Sequence, residues 1–103
     1  MSQIEKARRE GMRWYMLNTL NKARPYTTSE MFLLDVMRSI YPDTTALELR
    51  QQLDYLEDRQ LLDLNKTPNG VWFADLKRLG VDIAEYTIDC QAGIARPGKY
   101  WSD

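Results

Sequence analysis

The fold is decided by the stretch LRQQLDYLEDRQLLDL, which runs from Leu49 to Leu64. Its first half repeats leucine at helical spacing, so Leu49, Leu53 and Leu56 line one face of a helix. We predict that this helix spans residues 46–60 and that Thr45 opens it with a capping box. The pattern then changes to a weak alternation of apolar and polar residues, which favours a strand.

The next stretch, NGVWFADLKRLG, runs from Asn69 to Gly80 and opens on an Asn-Gly pair. This pair is a strong signal for a tight turn between two strands. Residues 62–74 therefore predict a β-hairpin, which must pack on helices because two strands are not stable alone. Apolar residues then return to helical spacing, which predicts a fourth helix over residues 75–86, bent near Gly80.

Two more helices are predicted before this stretch. Residues 2–23 are good helix formers. Ser2 forms a capping box at the start of this helix, and Pro25 terminates the helix at its other end. Residues 28–41 form the second helix, with Thr27 in a capping box. Its buried face repeats at i, i+3, i+4 and i+7, and consists of Leu33, Val36, Met37 and Ile40. The short turn after it has helix-turn-helix spacing.

Four consecutive apolar residues stand in the middle of the first helix. Consecutive residues point around the whole circumference of a helix, whereas a surface helix has one apolar stripe. We therefore expect this helix to be covered both by its own domain and by a partner. The simpler alternative is that Tyr15 or Met16 is exposed. The expected homodimer interface consists of Trp14, Tyr15, Met16 and Leu17 together with Tyr86 and Trp101.

The length of 103 residues supports one core. We expect a single domain over residues 1–87, followed by a tail, residues 88–103, that docks on the domain or on a partner subunit. There is no histidine and only one cysteine, Cys90, so imidazole pairs, disulfides and thiolate metal sites are excluded. No enzyme, cofactor or metal is expected. No apolar run is long enough to span a membrane, and a cytoplasmic location is expected.

Charge is unevenly distributed although the net charge is only −1. Residues 1–24 carry six basic and two acidic side chains, whereas residues 44–64 carry two basic and five acidic ones. Such complementary patches suit twofold self-association. The near-neutral total is unusual for a DNA-binding domain, since most of these carry a clear basic excess.

The predicted order of helix, helix, turn, helix, hairpin and helix is that of a winged helix-turn-helix domain. Residues 49–64 resemble the stretch in which a recognition helix enters the first wing strand, and residues 69–80 resemble the return strand followed by LTxxG. The tail GIARPGKYW (93–101), after GVDIAEY (80–86), resembles small ArsR-like regulators of Mu-like prophages. This resemblance implies a mostly α (α+β) fold, with a three-helix core, a hairpin wing and an extra C-terminal helix. It also implies a homodimeric transcriptional regulator that binds double-stranded DNA.

The chain departs from that pattern at two points. Metal-sensing ArsR regulators have a cysteine pair on the recognition helix or His/Asp ligands on the last helix, and this sequence has neither. Metal sensing is therefore not expected. MarR-type regulators place an arginine in the wing, where this chain has only Lys66 and Asn69.

If the protein binds DNA, the third helix is expected in the major groove with its N-terminal half against base edges. Arg50 then suits guanine, Gln51 suits adenine and Leu47 suits a thymine methyl group. The free N–H groups near Thr44 and Thr45 suit a phosphate. The full set of expected contacts is Thr44, Thr45, Leu47, Arg50, Gln51, Asp54, Lys66 and Asn69.

The same residues also fit a solvated helix face, and Asp54 and Asp58 on that face repel phosphates. The alternative hypothesis is a winged-helix module that binds another protein and no DNA, since a fold does not dictate a function. In that case Leu47 and Tyr55 matter more than Arg50.

Overall fold

A computed structural model of the chain describes residues 2–98. Over this range it is a mostly helical α+β protein with four helices and a three-stranded antiparallel sheet of order β1-β3-β2. The element bounds, in chain order, are α1 Gln3–Ala23, β1 Thr28–Ser29, α2 Glu30–Ile40, α3 Ala46–Asp58, β2 Leu62–Lys66, β3 Trp72–Leu76 and α4 Arg78–Ala84.

The ends of α1 and α3 follow from their capping residues. Ser2 accepts a hydrogen bond from the Glu5 backbone N–H at 3.1 Å and the Glu5 carboxylate bonds back, which confirms the predicted capping box. Thr45 is the N-cap of α3, as predicted, and accepts from the Glu48 N–H at 3.1 Å. The Glu48 carboxylate does not complete the predicted capping box, because it instead accepts a hydrogen bond from Arg8 at 2.8 Å.

The predicted start of the second helix was wrong. Its N-cap is Ser29, whose hydroxyl accepts from the Phe32 N–H at 3.2 Å. Thr27 instead donates its hydroxyl to the Asp75 carboxylate at 2.9 Å. The reason is that Thr28 and Ser29 are held extended as strand β1, in which Thr28 lies opposite Ala74 of β3.

The predicted hairpin is confirmed, with Leu64 opposite Ala74 in the antiparallel pairing of β2 with β3. Its return strand continues to Leu76, so α4 begins at Arg78 and ends at Ala84, a shorter helix than predicted. Gly80 lies within α4 without interrupting it. A Cβ atom at Gly80 would clash with the Leu61 carbonyl, so this glycine allows α4 to approach the connection between α3 and β2.

The core surrounds α1, which contacts α2, α3, α4 and β3. Its largest fully buried apolar side chains come from all four helices, from β2 and from the residue before β2, and are Met12, Met16, Leu17, Leu33, Met37, Leu49, Leu53, Leu56, Leu61, Leu62 and Ile83. The predicted α3 face is therefore confirmed. On α2, Leu33 and Met37 are buried as predicted, but Ile40, the last residue of the helix, is 39% exposed.

The segment after α4 lies against α1 at residues 93–95. Ile94 joins the core, and the Ala95 N–H donates to the Glu10 carbonyl at 3.1 Å. Arg13 donates to the Gly93 carbonyl at 2.8 Å. Trp101, to which the sequence assigned a docking role, lies outside the described residues. Within residues 2–98, no helix combines the length and the hydropathy that crossing a bilayer requires.

The N-cap assignment predicts different costs for two neighbouring substitutions. Ser29→Ala removes the cap of α2, and we expect it to lower the free energy of unfolding by about 1 kcal/mol. Thr27→Ala removes only an exposed hydrogen bond, and we expect a cost below about 0.5 kcal/mol. Urea denaturation of both variants measures this difference, and equal costs would contradict the assignment.

Candidate nucleic-acid interface

The N-terminal half of α3 presents side chains to solvent. Leu47 is 67% exposed, and Gln51, one helical turn further on, is also exposed. The opposite face of the helix holds Leu49 and Leu53 in the core, so the two outward side chains have fixed directions. An apolar and an amide side chain on one exposed helical row is an arrangement that can contact base edges.

Arg50, expected at a guanine, is engaged within the chain. Its Nε and Nη2 atoms donate to the two carboxylate oxygens of Glu30 at 2.7 and 2.6 Å. Nη2 also donates to the Gly70 carbonyl in the hairpin turn at 2.6 Å. This bidentate pair therefore ties α3 to the start of α2 and to the turn between β2 and β3.

Glu30 is the centre of this connection, and the residue is only 8% exposed. Its carboxylate also accepts a hydrogen bond from the Trp72 backbone N–H at 2.7 Å. The hydrogen bonds from Arg50, assisted by that from Trp72, outweigh burial and hold the pKa of Glu30 below its usual value. A carboxylate with three such donors is satisfied in its ionised form.

The indole of Trp72 extends this connection across the hairpin. The Arg50 guanidinium lies 4.4 Å from the ring centroid and the Lys66 ammonium lies 4.2 Å from it. Lys66 in turn pairs with Asp54 at 3.2 Å. We call the five residues Glu30, Arg50, Trp72, Lys66 and Asp54 the wing brace. It contains two cations and two carboxylates, so it carries no net charge.

The start of α3 is arranged differently from the expectation. Thr44 is 2% exposed and its hydroxyl donates to the Tyr41 carbonyl at 2.6 Å, while the Thr45 hydroxyl caps the helix. The Thr44 backbone N–H, which was expected to be free for a phosphate, donates to the Tyr41 carbonyl at 3.0 Å. Arg38, which sequence reasoning missed, donates from Nε to the Thr44 carbonyl at 2.8 Å. Its position in the last turn of α2, shortly before α3 begins, was the available signal.

The hairpin turn is ordered by its own side chains. The Asn69 carboxamide oxygen accepts from the Val71 N–H at 3.2 Å and from the Thr67 hydroxyl. Gly70 adopts a positive φ of 89°, which glycine accepts without strain. Asn69 and Lys66 are both exposed, so the structure leaves these two expected contacts at the surface.

The C-terminal half of α3 is acidic. A shallow groove between this half and β2 is lined by Asp54, Glu57, Asp58 and Asp63, with Lys77 at its edge. Lys77 lies 3.9 Å from Asp63, and Glu57 accepts the Leu64 N–H at 2.9 Å. This end of the helix repels a phosphate backbone, which confines any DNA contact to the N-terminal half.

The apolar run expected at a dimer interface is mostly inside the chain. Met16 and Leu17 are fully buried, and Trp14 is 7% exposed. The Trp14 ring packs edge-on against Tyr86, with 5.8 Å between centroids. Only Tyr15, which is 38% exposed, contributes to the surface. The chain therefore supplies most of the cover for this run itself, and Tyr86 is part of that cover.

Metal ligation and thiol chemistry have little support within the described residues. Between residues 2 and 98, no group of three or more Cys, Asp or Glu side chains has the arrangement of a metal site. Burial raises the pKa of the Cys90 thiol, so the neutral thiol predominates. Comparisons of the chain with protein-family models, curated proteins and solved structures found no significant match.

The wing brace predicts an acid-dependent stability contribution from Glu30. We expect Glu30→Gln to cost about 2 kcal/mol of unfolding free energy at neutral pH, because hydrogen bonds to a charged group are lost. The folded pKa lies below the reference value of 4.5. The contribution is therefore complete above pH 4.5 and is lost as the pH falls from there through the folded pKa.

Urea denaturation from pH 7 down to the acid limit of folding tests this expectation. The difference between wild type and Glu30→Gln should shrink on acidification. Asp89→Asn, which changes an exposed carboxylate of the C-terminal segment, is the control and should show no such trend. A difference that is constant with pH would contradict the role of Glu30.

Proposed function

We propose that this chain is a winged helix-turn-helix protein that binds double-stranded DNA as a homodimeric regulator of transcription. One observation carries the proposal: the exposed N-terminal half of α3 and the hairpin turn are fixed relative to each other by the hydrogen bonds of Arg50 to Glu30 and Gly70. A helix and a wing held rigidly together suit a major groove and its adjacent backbone. The Mu-like prophage resemblance of the sequence agrees with this role.

Base contact is assigned to two side chains of α3. Gln51 suits the N6 and N7 edge of adenine, and Leu47 suits the methyl group of thymine. Arg50 is left out of base reading, because moving it would leave the buried Glu30 carboxylate without its partner, which costs several kcal/mol. Its role is to position the wing.

Phosphate contact is assigned to Arg38 and Lys66. The hydrogen bond from Arg38 to Thr44 uses one of the five guanidinium N–H donors, which leaves four for a phosphate. Lys66 and Asp54 are 49% and 52% exposed, and an exposed ion pair contributes at most about 1 kcal/mol. Lys66 can therefore exchange Asp54 for a phosphate, whereas Arg50 cannot leave Glu30 as cheaply.

Two substitutions separate base contact from phosphate contact. Gln51→Ala should lower affinity for the preferred duplex by about 1–3 kcal/mol and leave non-specific binding unchanged. Arg38→Ala should weaken binding to all duplexes and reduce the salt slope of log K by about one per chain. Fluorescence anisotropy on labelled duplexes over a salt series measures both effects.

Arg78→Ala is the matched control for these measurements. Its side chain is 89% exposed on α4, pairs with Asp82 at 3.3 Å and lies outside the proposed contact surface. Binding should therefore be unchanged. The proposal fails if the folded wild-type protein binds no duplex at about 50 mM salt, where phosphate contacts are strongest.

A second candidate function is docking of another protein on α3. The observation that favours it is the charge of this face, where the wing brace is neutral and the groove beside it is acidic. A basic partner that covers Leu47 fits such a surface. In that case the protein binds no DNA at low salt, and Leu47→Asp abolishes the complex with the partner.

A further inference from the structure

Three arginines gather around one tyrosine where α1, α3 and the C-terminal segment meet. The guanidinium carbon of Arg13 lies 3.6 Å from the centroid of the Tyr55 ring, and that of Arg59, the residue after α3, lies 4.6 Å from it. These two guanidinium groups are therefore at most about 8 Å apart. Arg9 stands one helical turn before Arg13 on α1, so their side chains are neighbours. We call these four residues the arginine cluster.

The three arginines of this cluster have no anionic partner within residues 2–98. Arg8 pairs with Glu48 at 2.8 Å and Arg50 pairs with Glu30 at 2.6 Å, but no described carboxylate forms an ion pair with an arginine of the cluster. The carboxylate of Glu5, one turn before Arg9, is engaged in the capping box of α1. Positive charge is therefore left uncompensated at this place in the fold.

The charges of the cluster act on one another. Burial lowers the pKa of Arg13, and Arg9 and Arg59 lower it further, whereas Tyr55 and Glu10 act in the opposite direction. Arginine nevertheless remains protonated at neutral pH. Like charges one turn apart on a helix are destabilising. An anion bound between these side chains offsets that repulsion.

Arg13 is fixed in position and still has free donors. Its Nε donates to the Gln52 side-chain oxygen at 2.9 Å and its Nη1 donates to the Gly93 carbonyl at 2.8 Å. A guanidinium has five N–H donors, so three remain. The guanidinium of Arg59 stacks on Tyr55 and donates to no residue within 2–98, so all of its donors remain.

The hydroxyl of Tyr55 is a further donor at the same place, and it makes no hydrogen bond with a described residue. A Cβ atom at Gly93 would clash with this hydroxyl and would lie 3.6 Å from Nη1 of Arg13, so the two donors are within about 6 Å of each other. Gly93 adopts a positive φ of 93°, which glycine accepts without strain. Its missing side chain thus keeps the C-terminal segment close to both donors.

We propose that the arginine cluster binds the phosphate group of a phosphomonoester or of inorganic phosphate. Such a group has three terminal oxygens and about −1.5 to −2 charge at neutral pH, which suits donors from Arg13, Arg59 and Tyr55. With hydrogen bonds of about 3 Å on either side, one phosphate can bridge the two guanidinium groups. A carboxylate has only two oxygens and one charge, so it satisfies fewer of these donors.

A terminal phosphate fits the position of the site better than a DNA backbone does. Arg13 and Tyr55 are half-buried among α1, α3 and the C-terminal segment, and only Arg59 is exposed. A phosphodiester has two terminal oxygens and a single charge, and it is flanked on both sides by sugars. The inference therefore goes beyond the proposed function and does not require DNA binding.

Titration of the full chain with inorganic phosphate, at an ionic strength held constant with sodium chloride, tests the site. Nuclear magnetic resonance follows the Gly93 amide and the side-chain Nε–Hε signals of Arg13 and Arg59. In the wild type these signals should shift in a saturable manner. Circular dichroism checks that each variant used for comparison folds.

Two variants and one control give the expected pattern. Arg59→Ala should raise the dissociation constant for phosphate about tenfold, because charge-assisted hydrogen bonds are lost. Tyr55→Phe keeps the ring and loses only the hydroxyl, so we expect a roughly threefold increase. Arg78→Ala removes an exposed arginine of α4 that pairs with Asp82, and it should bind phosphate as the wild type does. Shifts that do not saturate, an unaffected Arg59→Ala or an equal loss in Arg78→Ala would overturn the inference.

Duplex binding, measured on the same samples, keeps the two proposals apart. A protein that saturates with phosphate but binds no duplex contradicts the proposed function and supports the phosphate site. If phosphate does not bind and Arg59→Ala lowers the salt slope of duplex binding by about one, the cluster contacts a DNA backbone instead. That result overturns the phosphate site and leaves the proposed function intact.

Discussion

The carboxylate of Glu30 is the group on which the arrangement of this protein most depends. It stands at the first position of α2 and accepts hydrogen bonds from Arg50 of α3 and from the backbone of Trp72 in β3. A buried carboxylate without its partners is costly, so these three elements are held in one relative position. Arg50 also donates a hydrogen bond to the Gly70 carbonyl, so the hairpin turn is held in the same arrangement.

This constraint sets a limit on nucleic-acid binding. Arg50 of α3 stabilises the hairpin turn, and Lys66 of the hairpin pairs with Asp54, so the face is held in place but is close to neutral. Rigidity lowers the entropy lost on binding, whereas neutrality weakens the phosphate attraction that supplies most non-specific affinity. A DNA-binding protein of this design depends on Arg38, helix N–H groups and base contacts more than on total charge.

Sequence patterns predicted the elements whose signals are local. The Ser2 capping box, the Leu49, Leu53 and Leu56 face and the Asn-Gly hairpin all depend on residues within a few positions of one another. Strand β1 was not predicted, because its two residues are extended only through pairing with β3, 44 or more positions later. Arg50 was assigned to DNA because helical spacing places it near Leu47, and nothing local reveals its partner Glu30, 20 residues earlier.

The apolar run in α1 is buried as its periodicity requires, but mostly by other parts of the same chain. Four consecutive apolar residues require cover on every side of the helix, and this requirement is met for Trp14, Met16 and Leu17. The cover comes from one core cluster that includes residues of α2, α3 and α4 together with Tyr86 and Ile94, the last two of which lie far away in the sequence. The spacing of apolar residues indicates that a face of a helix is buried, but it does not identify the segment that covers this face. Of the four residues only Tyr15 reaches the surface, and its ring packs edge-on against Tyr41, which follows α2.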